Sequence, residues 1–289
     1  MLARVWRRLP VPLRRLVRRA RLWAWAASDR VRAPDALVPS AYGGVIGAGD
    51  FERIGAEFLD HFRTLAGLQP DERVLDIGCG LGRMAVPLTG YLTSGSYRGF
   101  DVVEPAVGSC RRRIASRYPA FRFDHLDVFN AAYNRRGRIR ASAATFPYGD
   151  EEFDFAFATS VFTHMLRADV DRYLAETARV LRPGGRSLIT WFVVPADARA
   201  PVGHGDFAFA PAGDGVWLVD ERDPEAAVAY DEGLVRELYA SAGLVVDEPI
   251  HRGTWAGGPG VSFQDLVVAS RPAAPRDGRS GVGDGTARP

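Results

Sequence analysis

Seven short runs rich in β-branched and aromatic residues alternate with helical stretches, and this alternation constrains the chain more than any other feature. The runs lie at 73–77, 97–103, 121–128, 153–159, 187–194, 244–250 and 263–269. Helical spacing of apolar residues marks 82–92, 106–118, 168–181 and 232–242, the last ending at Gly243, a natural C-cap. Strands joined through helices pair in parallel, and such a sheet is covered on both faces. The predicted fold is α/β: a doubly wound, mostly parallel sheet that binds ligands beyond the carboxyl ends of its strands. Segments 34–65, 130–152 and 195–230 fall outside the alternation and are expected to be covering loops, mostly at the ligand end. At this length roughly 75% of the unfolded chain's surface can be buried, so no disulfide or metal staple is required. The two cysteines, Cys79 and Cys110, indicate no disulfide framework.

The first run leads into Val74-Leu75-Asp76-Ile77-Gly78-Cys79-Gly80-Leu81-Gly82-Arg83, a turn whose glycines let a backbone approach a ligand closely. It is not a dinucleotide fingerprint: the third glycine comes one residue early, and Arg83 occupies its expected place. Asp76 would also repel a pyrophosphate but would suit an ammonium group. The second run ends at Asp101, which can accept hydrogen bonds from both hydroxyls of a ribose.

On these residues the sequence resembles the class I S-adenosylmethionine-dependent methyltransferases. Phe146-Pro147-Tyr148 before the fourth run and Pro183-Gly184-Gly185 before the fifth look like further family turns. The resemblance covers about residues 50–270. It implies a seven-stranded sheet with an antiparallel last strand, and S-adenosylmethionine as cofactor. It further implies that Asp76, Gly78, Cys79, Gly80 and Gly82 hold the methionine part, with Asp101 and Val102 at the ribose. Asp127 with Val128 is preferred over Ser142 for adenine, and Thr159 and Ser160 line the site at the tip of the fourth strand. Ala158-Thr159-Ser160-Val161 lacks the proline-rich turn with which relatives grip planar amines, which counts against a nucleic-acid adenine or glutamine acceptor.

A hydroxyl acceptor needs a base to take its proton, and His164, just past the fourth strand, is the candidate catalytic residue. His204, in the loop after the fifth strand, is a weaker candidate, and His61, His125 and His251 read as structural. Asp206, Asp214 and Asp220 fit no cation-loop spacing, so no metal is expected. Phe207, Phe209 and Trp217 could form an acceptor pocket, and Tyr42 a lid.

The net charge of +2 is unevenly spread. All 37 basic residues are arginine, which excludes a Schiff-base lysine. Residues 1–32 carry ten arginines against Asp29, whereas 33–270 have a net charge of −9, which argues against nucleic-acid binding. Three units follow: a basic amphipathic helix in 1–32, a methyltransferase domain at 33–270 and a disordered tail at 271–289. The helix places Leu13, Leu16, Val17, Ala20, Trp23 and Ala24 opposite most of its arginines and is too charged to span a bilayer. Through residues 4–27 it could lie on an anionic membrane, dock on the body or bind acidic partners. The expected activity is methylation of a small-molecule hydroxyl on a sugar, glycolipid or secondary metabolite, in the bacterial cytoplasm or at the inner face of its membrane. The alternative is a membrane-associated protein of the same fold that binds the cofactor without catalysis.

Overall fold

Every residue of β1 (Arg73–Ile77) after its first is buried, and the strand lies deep in the main sheet. The structure, a computed structural model, describes residues 10–32, 36–39 and 49–273. β2 (Ser96–Asp101), β3 (Phe121–His125), β4 (Phe153–Ala158), β5 (Leu181–Trp191), β10 (Val245–His251) and β11 (Asp265–Ser270) complete seven strands, in the order β10-β11-β5-β4-β1-β2-β3. Only β11 runs antiparallel to its neighbours.

Alternation along the strands divides the core in two. Leu75, Ile77, Ala156 and Ala158 face α5 (Arg167–Val180) and α6 (Glu232–Ser241), where Leu174, Val180 and Leu238 meet them. Val74, Phe155 and Phe157 face the other layer, built from α2 (Phe51–Thr64), α3 (Ala85–Tyr91) and α4 (Glu104–Cys110). Phe62 of α2 stacks within 4.4 Å of the Phe157 ring centre, and burying each such ring contributes about 1.5–3 kcal/mol.

Four local expectations change. The third run stops at His125, because 126–140 folds back on itself. The helix after β2 continues past α4 as a wider turn, Arg111–Ala115. β5 already begins at Leu181 and accommodates its glycines by a register shift against β4. Finally, 195–230 is not merely a loop. β6 (Val193–Val194), β7 (Ala210–Gly213), β8 (Val216–Leu218) and β9 (Val228–Asp231) form a second sheet, in the order β6-β9-β8-β7, packed on Phe192, Phe209 and Trp255.

α1 (Val11–Arg32) docks on the body. Leu22, Trp25 and Ala26 pack with Phe51, Leu81, Val103 and Ala106 beside the glycine turn. Asp29 is buried against Arg113, with Oδ1 2.5 Å from Nη2. The helix also brings Arg14 within 3.2 Å of Asp220, and Arg15 pairs with Asp223. The predicted tail lies outside the described residues beyond Ala273.

Candidate active site

The carboxyl ends of β1, β2 and β4 open into a cavity of about 1000 Å3, floored by the turn after β1. Gly78 and Gly82 both adopt the left-handed conformation there, with φ of +84° and +81°. A Cβ on Gly78 would lie 2.4 Å from Val161 Cγ2, and one on Gly82 2.7 Å from Ile114 Cδ1, so no side chain fits at either position. The Gly78 and Cys79 N–H groups both donate to Phe100 O, at 2.9 and 3.0 Å, fastening the turn to β2.

Two carboxylates meet this turn. Asp76 accepts from the Tyr97 hydroxyl through Oδ2 at 2.6 Å, while its Oδ1 is buried without a protein partner. Burial pushes the Asp76 pKa up to about 8; Tyr97 opposes the shift and the nearby charge of Asp101 adds to it. A buried carboxylate left half-satisfied is costly, and a cation donating into Oδ1 would relieve both the charge and the missing hydrogen bond. Asp101 is better provided for: Gly80 N–H donates to Oδ2 at 2.7 Å and Val103 N–H to Oδ1 at 2.8 Å. Burial raises its pKa, and these backbone donors work against the rise. Each oxygen retains a lone pair for a further donor.

Of the other residues expected at the cofactor, Val102, Val128, Thr159 and Ser160 line the cavity. Ser160 is left-handed at φ +59°, a conformation costing on the order of 1 kcal/mol, and is held by its N–H donating to Thr190 Oγ1 at 2.7 Å. Asp127 departs from expectation. Its carboxylate accepts from Arg138 Nε at 2.7 Å and Asn134 Nδ2 at 3.4 Å, and it is not among the lining residues. The cause is the returning segment, in which Arg138 and Ile139 N–H groups both donate to Asp127 O and turn the side chain outward. Arg138 holds the Asp127 carboxyl below its ordinary pKa. Ser142, the weaker candidate in sequence, lines the cavity beside Ala141 and Val128.

His164 lies in the helical turn Phe162–His164 and faces the same cavity. Its Nδ1 is 3.0 Å from Glu225 O. A carbonyl can only accept, so Nδ1 carries the proton and the neutral ring leaves Nε2 as an acceptor. The residue is solvent-exposed, yet desolvation of the ring among its neighbours lowers its pKa below the ordinary histidine value, with a further contribution from Arg18. His204 is not a lining residue; His61 sits 3.8 Å from Glu57, and His125 Nε2 is 3.3 Å from Val102 O. Among the described residues, no group of three or more His, Cys, Asp or Glu side chains is arranged to hold a metal.

The loop aromatics divide. Phe207 lines the cavity, Phe209 is buried in the core of the second sheet, and Trp217 Nε1 donates to Asp231 Oδ1 at 2.7 Å. Tyr42 lies outside the described residues. Sequence reasoning missed Arg15 and Arg18 of α1, which wall the cavity, because that helix is separated from the sheet by a long segment. It also missed Gln264, whose Nε2 donates to Ser160 Oγ at 3.1 Å; a lone glutamine before a strand carries no local signal.

The family model described as "Methyltransferase domain" matches residues 75–189, from β1 into β5. Over 122 residues the chain is 34% identical to phthiotriol/phenolphthiotriol dimycocerosates methyltransferase 1 of Mycobacterium ulcerans, covering 41% of this chain and 37% of that protein. It is 32% identical over 143 residues to methyltransferase GfsG of Streptomyces halstedii, covering 50% and 44%, so the match spans under half the length of these relatives. Among solved structures, 1,6-didemethyltoxoflavin-N1-methyltransferase of Burkholderia thailandensis aligns over 92% of both chains at TM-score 0.51 and 18% identity, a likeness of fold. Residues 75–189 thus match a methyltransferase domain, and the strand order with an antiparallel β11 is the α/β fold that the resemblance to class I S-adenosylmethionine-dependent methyltransferases implies.

Proposed function

We propose that the protein transfers a methyl group from S-adenosylmethionine to a hydroxyl of a small-molecule acceptor, with His164 as general base. The observation that carries this reading is the buried Oδ1 of Asp76, without a protein partner at the floor of a large cavity, an acceptor suited to an ammonium donor. The left-handed glycine turn beside it leaves room for a backbone-hugging ligand, and Asp101 presents spare acceptor lone pairs for ribose hydroxyls. Val128 and Ser142 would flank adenine.

When bound, the cofactor supplies an electrophilic methyl group on a sulfonium. The chain positions the partners: Asp76 and Asp101 fix the cofactor end, and His164 stands at the acceptor end. His164 takes the acceptor's proton at Nε2 while Glu225 O stabilises the Nδ1–H of the resulting imidazolium. Support for a small-molecule acceptor comes from the named relatives. A further one, 32% identical over 121 residues and spanning 37% of its own length, is O-methyltransferase cnsE of Penicillium expansum.

The test is incubation with methyl-labelled S-adenosylmethionine and a panel of hydroxylated sugars, lipids and aromatic metabolites, with products read by mass spectrometry. An O-methylated product and stoichiometric S-adenosylhomocysteine are expected. Tight cofactor binding without turnover on any acceptor would support the non-catalytic alternative.

A further inference from the structure

α1 presents two unlike faces. Arg14, Arg15, Arg18 and Arg19 turn toward the body, where they meet Asp220, Asp223, the Tyr133 ring and Ala131 O. Leu22, Trp25 and Ala26 bury the helix's second half. The opposite face is apolar and turned to solvent: Leu13 is 41% exposed, Leu16 54% and Trp23 61%, with exposed Ala20, Ala24 and Ala27 between and beyond them. The spacing 13, 16, 20, 23, 24, 27 is a continuous stripe along four turns. The arginines therefore do not lie opposite a buried apolar face, as a soluble docking helix would place them; the apolar stripe is the outer surface.

The stripe's surroundings say what covers it. Arg21 is exposed on one border, and Arg19 is partly exposed on the other. Arg4, Arg7 and Arg8 precede the helix in sequence, so residues 1–32 have a net charge of +9 beside a body of −9. An apolar stripe carrying a tryptophan and edged by arginine matches the boundary between the headgroups and acyl chains of an anionic bilayer. A second copy of this chain would instead oppose two basic segments.

We propose that α1 seats the protein on an anionic membrane through Leu13, Leu16, Ala20, Trp23, Ala24 and Ala27. No helix among the described residues is long and apolar enough to cross a membrane, so the contact is in the surface plane. Arg15 and Arg18 on the other face wall the cavity, so docking would place α1 between the bilayer and that wall. The docking itself does not rest on the proposed activity.

The full-length chain is floated with phosphatidylcholine vesicles with and without phosphatidylglycerol. Wild type is expected to float with the anionic vesicles, and Leu16→Glu combined with Trp23→Glu to lower the bound fraction by about tenfold or more. Arg21→Glu, on the border alone, is expected to lower it about threefold and to weaken the dependence on phosphatidylglycerol. Circular dichroism and cofactor affinity are measured on each variant; should the double variant unfold, Trp23→Ala replaces it and is expected to lower binding several-fold. Wild type that stays with the free protein at both lipid compositions overturns the proposal. So does a stable dimer in lipid-free solution that the folded double variant converts to monomer, since a second copy would then cover the stripe.

Discussion

At the β1–β2 end of the cavity the polar groups are held mainly by backbone: Asp101 by the N–H groups of Gly80 and Val103, and the turn itself by Phe100 O. At the His164 end the contacts join side chains and loops far apart in sequence, such as Arg14 with Asp220 and the His164 ring with Glu225 O. The first arrangement is set by strand pairing and left-handed glycines, so it tolerates one ligand shape. The second is assembled from α1, the β8–β9 connection and the returning segment after β3, all of them outside the seven-stranded sheet. The rigid end is where the cofactor is proposed to sit, and the assembled end is where the proposed acceptor would meet His164.

Substitutions that uncouple the two ends test that division. The largest effect is expected from His164→Ala: a fall in turnover on a hydroxyl acceptor of about 10²–10⁴, the usual contribution of a general base, with cofactor affinity within about twofold by calorimetry. A loss of cofactor binding instead would move His164 to the rigid end. Asp76→Asn should do the converse, weakening S-adenosylmethionine binding on the order of 100-fold, as expected when a buried charge loses its counter-charge.

The same carboxylate makes affinity depend on pH. With its pKa near 8 in the free protein, Asp76 carries a proton at neutral pH that must leave when a cation binds. Cofactor affinity should therefore rise with pH, by up to about tenfold per unit below pH 8, and flatten above it. Calorimetry in buffers of different ionisation heat should show proton release on binding, and the Asn variant should show none. Smaller still is the adenine contact: Ser142→Phe should raise the dissociation constant several-fold by filling the cavity wall, while Asp127→Ala should leave it within about twofold. An Asp127→Ala effect as large as that of Ser142→Phe would restore the acid to the cofactor site.

The rigid end was the legible one. Asp76, the glycines and Asp101 are adjacent in sequence to the strands that place them, so period and turn chemistry suffice to locate them. Asp127 shows the limit: it was read as ending the third strand, which stops at His125, and its direction depends on Arg138 and Asn134, while no local pattern discloses that the chain doubles back. The second sheet escaped for a similar reason. Its strands are three or four residues long apart from the two-residue β6, too short for alternation to stand out. For α1 the apolar and arginine faces were both evident; which one looks inward depends on acids some 200 residues later.

The pairing of Asp29 with Arg113 bears on where this protein can be cut. Arg113 lies inside the matched segment 75–189, and its neighbour Ile114 supports Gly82 of the turn. Asp29 lies far outside that segment, yet it is the carboxylate against which this guanidinium is buried, with Ser109 joining them. A fragment trimmed to the matched domain would lose Asp29 together with Leu22, Trp25 and Ala26, opening Arg113 and the apolar packing on Leu81, Val103 and Ala106 to water beside the ligand turn. The stretch that is inherited as a recognisable unit is thus shorter than the stretch that must be made for it to fold.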